Sequence, residues 1–301
     1  MIDKNASVVV VGSGLMGTGI AHAFVSSGYK TLLVDTNERA LALARSGIDD
    51  ILDAGVRMGK MAAADATDAK SRLSTSTTLS DATEHASLLV ETVSENLNVK
   101  QMVVKQAADL LGNDAILATN TSALSVTEIA SVVDNPGRVI GMHFFNPVHK
   151  MKLVELVLGI ATNEPTVAAA RDWCRAINKT SILVNESPGL TTSRMSAMLG
   201  NEAMWMLQEG TACAEDIDTA LRMGFNHPMG PLELGDLTGW DTRLAVLKYL
   251  HSTLGEKFRP CPLITKMVAA GRLGRKVGQG VYLYDESGKA VPGSGLKGSN
   301  L

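Results

Sequence analysis

The chain has 301 residues, of which 45% are apolar, and carries 28 basic against 31 acidic side chains for a formal charge of -3. That length and apolar content suit one large or two unequal domains with a substantial core, and exclude a disordered or fibrous chain. With no long Lys/Arg block there is no basic field to attract a nucleic-acid backbone or an anionic membrane, so any anionic ligand must be met by local geometry.

The N-terminal apolar stretch is broken by Gly12 and Gly14, too soon for a signal peptide, and no later stretch approaches the roughly 18 apolar residues of a membrane span. Cys174, Cys213 and Cys261 are odd in number and far apart. They lack the spacing of a zinc site or redox pair and read as reduced thiols. A soluble, cytoplasmic protein with no metal is the expectation.

In chain order, residues 8–11 form a continuous β-branched run, followed by a Gly-rich turn, a helical period over 15–27 and a second strand over 31–34. This is a βαβ unit. Helices are expected at 38–61, 96–111 and 166–178, and strands at 87–93, 115–119, 138–142, 152–158 and 181–184. Continuous rather than alternating apolar strands predict a mostly parallel sheet covered on both faces.

After Ser187-Pro188-Gly189 the pattern becomes helical, at 190–208, 214–222, 242–254 and 263–270, with a short strand at 281–284. The eight glycines between Gly271 and Gly298 and the polar stretch after residue 284 predict a flexible tail. The expected organisation is a Rossmann-type α/β domain over 1–185, a smaller all-α domain over 186–284, and a tail over 285–301.

Gly12-Ser13-Gly14-Leu15-Met16-Gly17 fits the pattern G-x-G-x-x-G between a strand and a helix. Gly12 suits the tight turn, Gly14 lets backbone approach a pyrophosphate, and Gly17 lets helix pack close to strand. The free N–H groups and dipole of the helix N-terminus, including those of Leu15 and Met16, then meet the phosphates. Asp35 closes the second strand 18 residues after Gly17, where a carboxylate accepts from both ribose hydroxyls and repels a 2'-phosphate. NAD is therefore expected over NADP.

Two further segments follow strands, at the edge where open α/β sheets bind ligands. They are Asn120-Thr121-Ser122 and His143-Phe144-Phe145-Asn146-Pro147-Val148. Glu155, 12 residues after His143, lies on a strand that could return beside it after the Pro147 turn. An imidazole ordinarily titrates near neutral pH, about 6.5, and a carboxylate beside it favours the protonated form and fixes the tautomer. Taken singly, Ser122 could equally cap the helix starting near residue 125, and the His–Glu pair could be a core polar contact.

These segments, with Leu153-Val154-Glu155-Leu156-Val157, Ser187-Pro188-Gly189-Leu190, Gly230-Pro231 and Gly235-Asp236, resemble the 3-hydroxyacyl-CoA dehydrogenase family over about residues 5–284. Asn226-His227-Pro228-Met229-Gly230-Pro231 and Leu273-Gly274-Arg275-Lys276 resemble most the bacterial 3-hydroxybutyryl-CoA dehydrogenases.

The resemblance implies NAD-dependent, reversible oxidation of a (3S)-3-hydroxyacyl-CoA, with His143 as base or acid, Glu155 as its partner and Ser122 hydrogen-bonded to the C3 oxygen. It also implies that Glu95, Lys100, Asn146 and Lys276 face the cofactor, and that the enzyme is a homodimer formed through the helical domain. Glu95 and Lys100 could otherwise be an ordinary helix-surface pair.

The sequence departs from the family in two places. Ser193 stands before Arg194 where many members carry Asn near the thioester carbonyl, and Ser has only one hydroxyl donor. In the helix where members hold CoA, Ile51 and Met58 occupy the aligned positions, so only the neighbouring Arg57 and Lys60 remain as candidates for the CoA phosphates. The Met-rich helix with Met195, Met198, Met204 and Met206 reads as core or subunit contact. Alternatives are a related hydroxy-acid or sugar-acid dehydrogenase that does not use CoA, and a catalytically silent NAD-binding protein.

Overall fold

The computed structural model describes residues 2–3, 5–82 and 85–297. Two compact units divide the chain, Met1–Ser187 and Pro188–Leu301.

The first unit is built on eight strands: β1 Ser7–Val11, β2 Lys30–Val34, β3 Leu73–Ser76, β4 Ala86–Glu91, β5 Ile116–Thr119, β6 Val139–Phe144, β7 Leu153–Leu158 and β8 Thr180–Asn185. Their order across the sheet is β3-β2-β1-β4-β5-β6-β7-β8. Every neighbouring pair is parallel except β6 with β7. The chain leaves β1 toward β2 on one side and resumes at β4 on the other, which creates a crevice at the carboxyl ends of β1 and β4.

Among the described residues, six α-helices belong to this unit: α1 Leu15–Ser26, α2 Glu38–Arg57, α3 Ala63–Ser71, α4 Leu97–Leu110, α5 Val126–Ala130 and α6 Glu164–Ala176. Several starts are set by side-chain caps, in which Asn37, Asn96, Ser125 and Asn163 accept from Ala40, Val99, Glu128 and Thr166 N–H respectively. α2 buries Leu41, Ala44, Ile48 and Leu52 at helical spacing. It ends at Arg57 rather than near residue 61 because Gly59 turns left-handed (φ +66°) and Lys60 N–H bonds back to Gly55.

All four residues from Val8 to Val11 are buried, as strands covered on both faces require. Trp173 of α6 meets Phe24 and Tyr29 edge-on, at 5.7 and 5.0 Å between ring centres.

The second unit contains α7 Thr192–Glu209, α8 Ala214–Gly224, α9 Pro231–Thr238, α10 Trp240–Leu254 and α11 Pro262–Ala269. They enclose a core that includes Met204, Leu207, Leu232, Trp240, Leu247 and Ile264. Two buried carboxylates organise its turns. Asp218 of α8 caps α9 by accepting from Leu232 and Glu233 N–H (2.8 and 3.0 Å), and also accepts from the Tyr282 hydroxyl at 2.8 Å. Asp236 of α9 accepts from Trp240 Nε1, Val281 N–H, Tyr282 N–H and the Tyr284 hydroxyl, all within 3.0 Å.

The Gly230 and Gly280 positions follow from these anchors, since an added Cβ would stand 2.2 Å from Asp218 Cγ and 1.9 Å from Asp236 Oδ1.

Asp236 also explains a difference from the sequence reading. The strand expected at 281–284 forms only isolated bridges, because the N–H groups of Val281 and Tyr282 serve the carboxylate instead of a neighbouring strand. The segment expected to be a flexible tail is tied down through residue 297. Val291 N–H bonds to Leu283, Leu296 N–H to Val281 and Gly295 N–H to Glu215, and Leu296 packs on the helical core. Residues 298–301, also assigned to that tail, lie outside the described residues. No helix among the described residues is long and apolar enough to cross a membrane.

Candidate active site

The turn after β1 has the geometry that a dinucleotide needs. Gly12 takes a positive φ of +101°, and a Cβ there would stand 2.8 Å from the Thr92 carbonyl oxygen. A Cβ on Gly17 would stand 1.7 Å from the Gly12 carbonyl oxygen, so only glycine allows α1 to sit this close to β1. Thr92, just past β4, closes the turn by donating its hydroxyl to Val11 and Gly12 carbonyls at 3.1 and 3.0 Å.

Gly14 is different, because a side chain there would enter open space. It is the N-cap of α1 and provides no side-chain cap, so the first-turn N–H groups that Leu15 and Met16 begin are left for an anion. Leu15 projects into solvent and Met16 packs on the core. The cradle therefore fits a pyrophosphate.

Asp35, at the end of β2, accepts from Ser13 N–H and Ser13 Oγ through Oδ2 (both 2.8 Å) and from Asn37 N–H through Oδ1 at 2.9 Å. Partial burial opposes its charge, but these bonds outweigh it and hold the carboxyl below the usual carboxylate range. A carboxylate offers about four acceptor positions. Three are engaged, so room for both ribose hydroxyls requires the Ser13 hydroxyl to turn aside.

His143 and Glu155 face each other directly in the antiparallel register of β6 and β7, with Nδ1 and Oε2 separated by 2.7 Å. The Glu155 side chain is wholly buried, while 11% of the His143 side chain reaches solvent. Phe145 lies against the imidazole at 4.7 Å between ring centres. Phe144, which follows His143, donates its N–H to Asn120 Oδ1 at 2.8 Å, which ties the histidine strand to the loop carrying Ser122. Asn146 is exposed in the turn that follows.

Ser122 is exposed and does not cap α5, a role taken by Ser125. Its loop is instead gathered around Glu95. One oxygen, Oε1, accepts from Thr121 Oγ1 (2.5 Å), Ser122 N–H (3.0 Å) and Ala123 N–H (3.2 Å). Burial disfavours the Glu95 charge, but these donors and the Lys100 ammonium more than compensate and keep its carboxyl low.

Lys100, expected to face the cofactor, is wholly enclosed, with Nζ 2.9 Å from Glu91 Oε1 and 3.3 Å from Glu95 Oε2. Glu91, also wholly buried, is a residue that the sequence reading missed. Its signal was a carboxylate closing an otherwise apolar strand, nine residues before a lysine.

The carboxyl ends of the mutually parallel β1, β4, β5 and β6 thus bring the Gly12 turn, Glu95, Ser122 and His143 to one edge of the sheet. The remaining candidates lie on other elements. Arg57 and Lys60 are exposed at the end of α2. In the second unit, Ser193 is half-buried in the first turn of α7. Lys276 is neutralised by both oxygens of Asp241, at 2.7 and 2.6 Å.

Comparison with known proteins covers both units. The family model described as "3-hydroxyacyl-CoA dehydrogenase, NAD binding domain" matches residues 7–187, and "3-hydroxyacyl-CoA dehydrogenase, C-terminal domain" matches 189–284. The chain is 41% identical over 280 residues to a probable 3-hydroxybutyryl-CoA dehydrogenase of Bacillus subtilis, covering 93% of this chain and 97% of that one. It is also 41% identical over 280 residues to the 3-hydroxybutyryl-CoA dehydrogenase of Clostridioides difficile, covering 93% and 99%. The crystal structure of (S)-3-hydroxybutyryl-CoA dehydrogenase from Ralstonia eutropha is similar at a TM-score of 0.89 and 39% identity, over 94% of this chain and 100% of that one.

Proposed function

The chain belongs to the 3-hydroxyacyl-CoA dehydrogenase family, and from that premise we propose that it interconverts a (3S)-3-hydroxyacyl-CoA and the 3-oxoacyl-CoA with NAD, the substrate being short-chain 3-hydroxybutyryl-CoA. The observation that carries this reading is the His143–Glu155 pair on the sheet edge that also bears the glycine turn.

NAD, which the glycine turn and Asp35 would hold, would supply the hydride acceptor for substrate C3, and in its reduced form the hydride donor for the reverse direction. His143 does the proton work. With Glu155 accepting at Nδ1–H, Nε2 is the free base and takes the C3 hydroxyl proton, and the carboxylate stabilises the resulting imidazolium. In reduction the same proton returns to the C3 oxygen. Ser122 donates to that oxygen and orients it. A serine nucleophile has no role here, because hydride transfer passes through no acyl-enzyme.

Glu95, Asn146 and the first turn of α1 are the groups we assign to the cofactor. Lys276 would arrive as an ion pair with Asp241 rather than as a free charge. Asp35 favours NAD over NADP, since its ionised carboxyl would repel a 2'-phosphate. Ser193 takes the place of the family Asn beside the thioester carbonyl with a single hydroxyl donor, and Arg57 and Lys60 are the candidates for the CoA phosphates.

We read the enzyme as a homodimer, supported by the exposed Met195, Met223 and Phe225 of the helical unit. The three free cysteines support a cytoplasmic location.

The test is NADH consumption, followed by absorbance, with acetoacetyl-CoA and with free acetoacetate. Turnover of the thioester and little of the free acid is expected. Equal turnover of both would point to the dehydrogenase that does not use CoA, and turnover of neither to a silent NAD-binding protein.

A further inference from the structure

Glu91 and Lys100 are both wholly buried. Glu91 ends β4 and lies in register with Thr119, the last residue of β5. Its carboxylate is held by the Thr119 hydroxyl at 2.6 Å, by Val93 N–H at 2.7 Å and by the ammonium of Lys100 at 2.9 and 3.1 Å. That ammonium also lies 3.3 Å from Glu95 Oε2, while Glu95 Oε1 gathers the three donors of residues 121–123. A single chain of alternating charges therefore runs from the sheet to the turn that carries Ser122.

Burying an ion pair removes two charges from water and is seldom more stabilising than apolar side chains of similar volume. Geometry is the better account of its place here. We propose that Glu91 and Lys100 are positioning residues: the ammonium, anchored by Glu91, holds the Glu95 carboxylate against the 121–123 turn and thereby sets where the Ser122 hydroxyl stands. This rests on the reading of Ser122 as the group that meets the substrate's C3 oxygen. Without the Glu91 charge, Lys100 keeps Glu95 as its one carboxylate partner among the described residues and draws it inward, off the turn.

Glu91→Gln keeps the shape and the acceptor for Thr119 and Val93 while removing the charge. In acetoacetyl-CoA reduction its kcat should fall about tenfold to a hundredfold, the range in which a small misplacement of a reacting group acts. KM for the thioester and Kd for NADH, measured by fluorescence, should stay within about threefold. Amide hydrogen exchange read by mass spectrometry, without cofactor, should quicken over residues 119–125.

The double variant Glu91→Met/Lys100→Met replaces the pair by apolar side chains and should show the same loss with a native circular dichroism spectrum. It decides the matter if the single variant does not fold. Wild-type kcat and wild-type exchange at 119–125 in either folded variant overturn the proposal, as does a loss confined to NADH affinity. If the wild-type protein does not reduce acetoacetyl-CoA, the reaction assignment fails, and the exchange measurement still decides whether the pair holds the turn.

Discussion

Replacing Glu155 by Gln changes one atom of a wholly buried side chain that stands 2.7 Å from His143 Nδ1, and the cost in rate follows from the charge removed. When the imidazole becomes imidazolium, a full negative charge lies about 4 Å from the centre of the positive one. At an effective dielectric near 20 that attraction is worth about 4 kcal/mol. The smaller bound is the advantage of a charge-assisted over a neutral hydrogen bond, about 1–2 kcal/mol.

Taking about 1–4 kcal/mol as the loss, and 1.36 kcal/mol per factor of ten, the catalytic step should slow about fivefold to a thousandfold. The shape of the side chain is kept, so KM for 3-hydroxybutyryl-CoA should change little. The assay is rapid-mixing single turnover of NAD with saturating 3-hydroxybutyryl-CoA, the direction in which the imidazole becomes imidazolium, alongside thermal melting to show that the variant is folded. A folded Glu155→Gln protein with wild-type single-turnover rate would refute the reasoning and leave Glu155 as a core contact. A raised KM with unchanged rate would assign it to binding instead.

Three further outcomes follow from the same structure. Asp35→Asn removes the acceptor charge at the end of β2 and should weaken NADH binding about fivefold to thirtyfold and narrow the preference over NADPH, as read by fluorescence titration; unchanged discrimination would show that Asp35 only secures Ser13. Asp236→Asn turns an amide NH2 toward a carboxylate site filled by four donors, and should destabilise the helical unit by about 2–4 kcal/mol in urea unfolding, so an unshifted midpoint would contradict that anchoring role.

The two units should also respond oppositely to acid. Asp35 and Glu95 have lowered pKa values, so their stabilisation is present above the ordinary carboxylate range and is lost as pH falls. Burial raises Asp218 and Asp236 despite their hydrogen bonds, so their contribution is present below that range and is lost as pH rises through the raised values. Acidifying from about pH 7 to about pH 2, below the ordinary carboxylate values, should weaken amide protection in residues 5–187 before residues 188–297; the reverse order would count against these assignments.

Legibility in the sequence followed the range of the interactions. The glycine turn is local, so its three positions could be given separate duties before any strand was placed. His143 and Glu155 were legible as a pair because one short return connects their strands, although only the antiparallel register shows that they touch.

β3 and α3 were not anticipated, since residues 63–76 are rich in Ala, Thr, Ser and Asp and β3 is an edge strand with a single buried apolar residue, Leu73. Glu91 was hidden for another reason: a strand-ending carboxylate shows no partner until the βα turn returns Lys100 beneath it. The contacts of Asp218 and Asp236 with Tyr282 and Tyr284 span 64 and 48 residues, and nothing local in a Gly-rich segment announces them.

The central claim is that His143 exchanges the proton that accompanies hydride transfer at C3 of a 3-hydroxyacyl thioester. Its most direct measurement is NADH absorbance during acetoacetyl-CoA reduction by the wild-type protein and His143→Ala, both shown to be folded and to bind NADH. Turnover by the wild type and a loss of about 100-fold or more in the variant is the predicted result. Comparable turnover by the two proteins would contradict it.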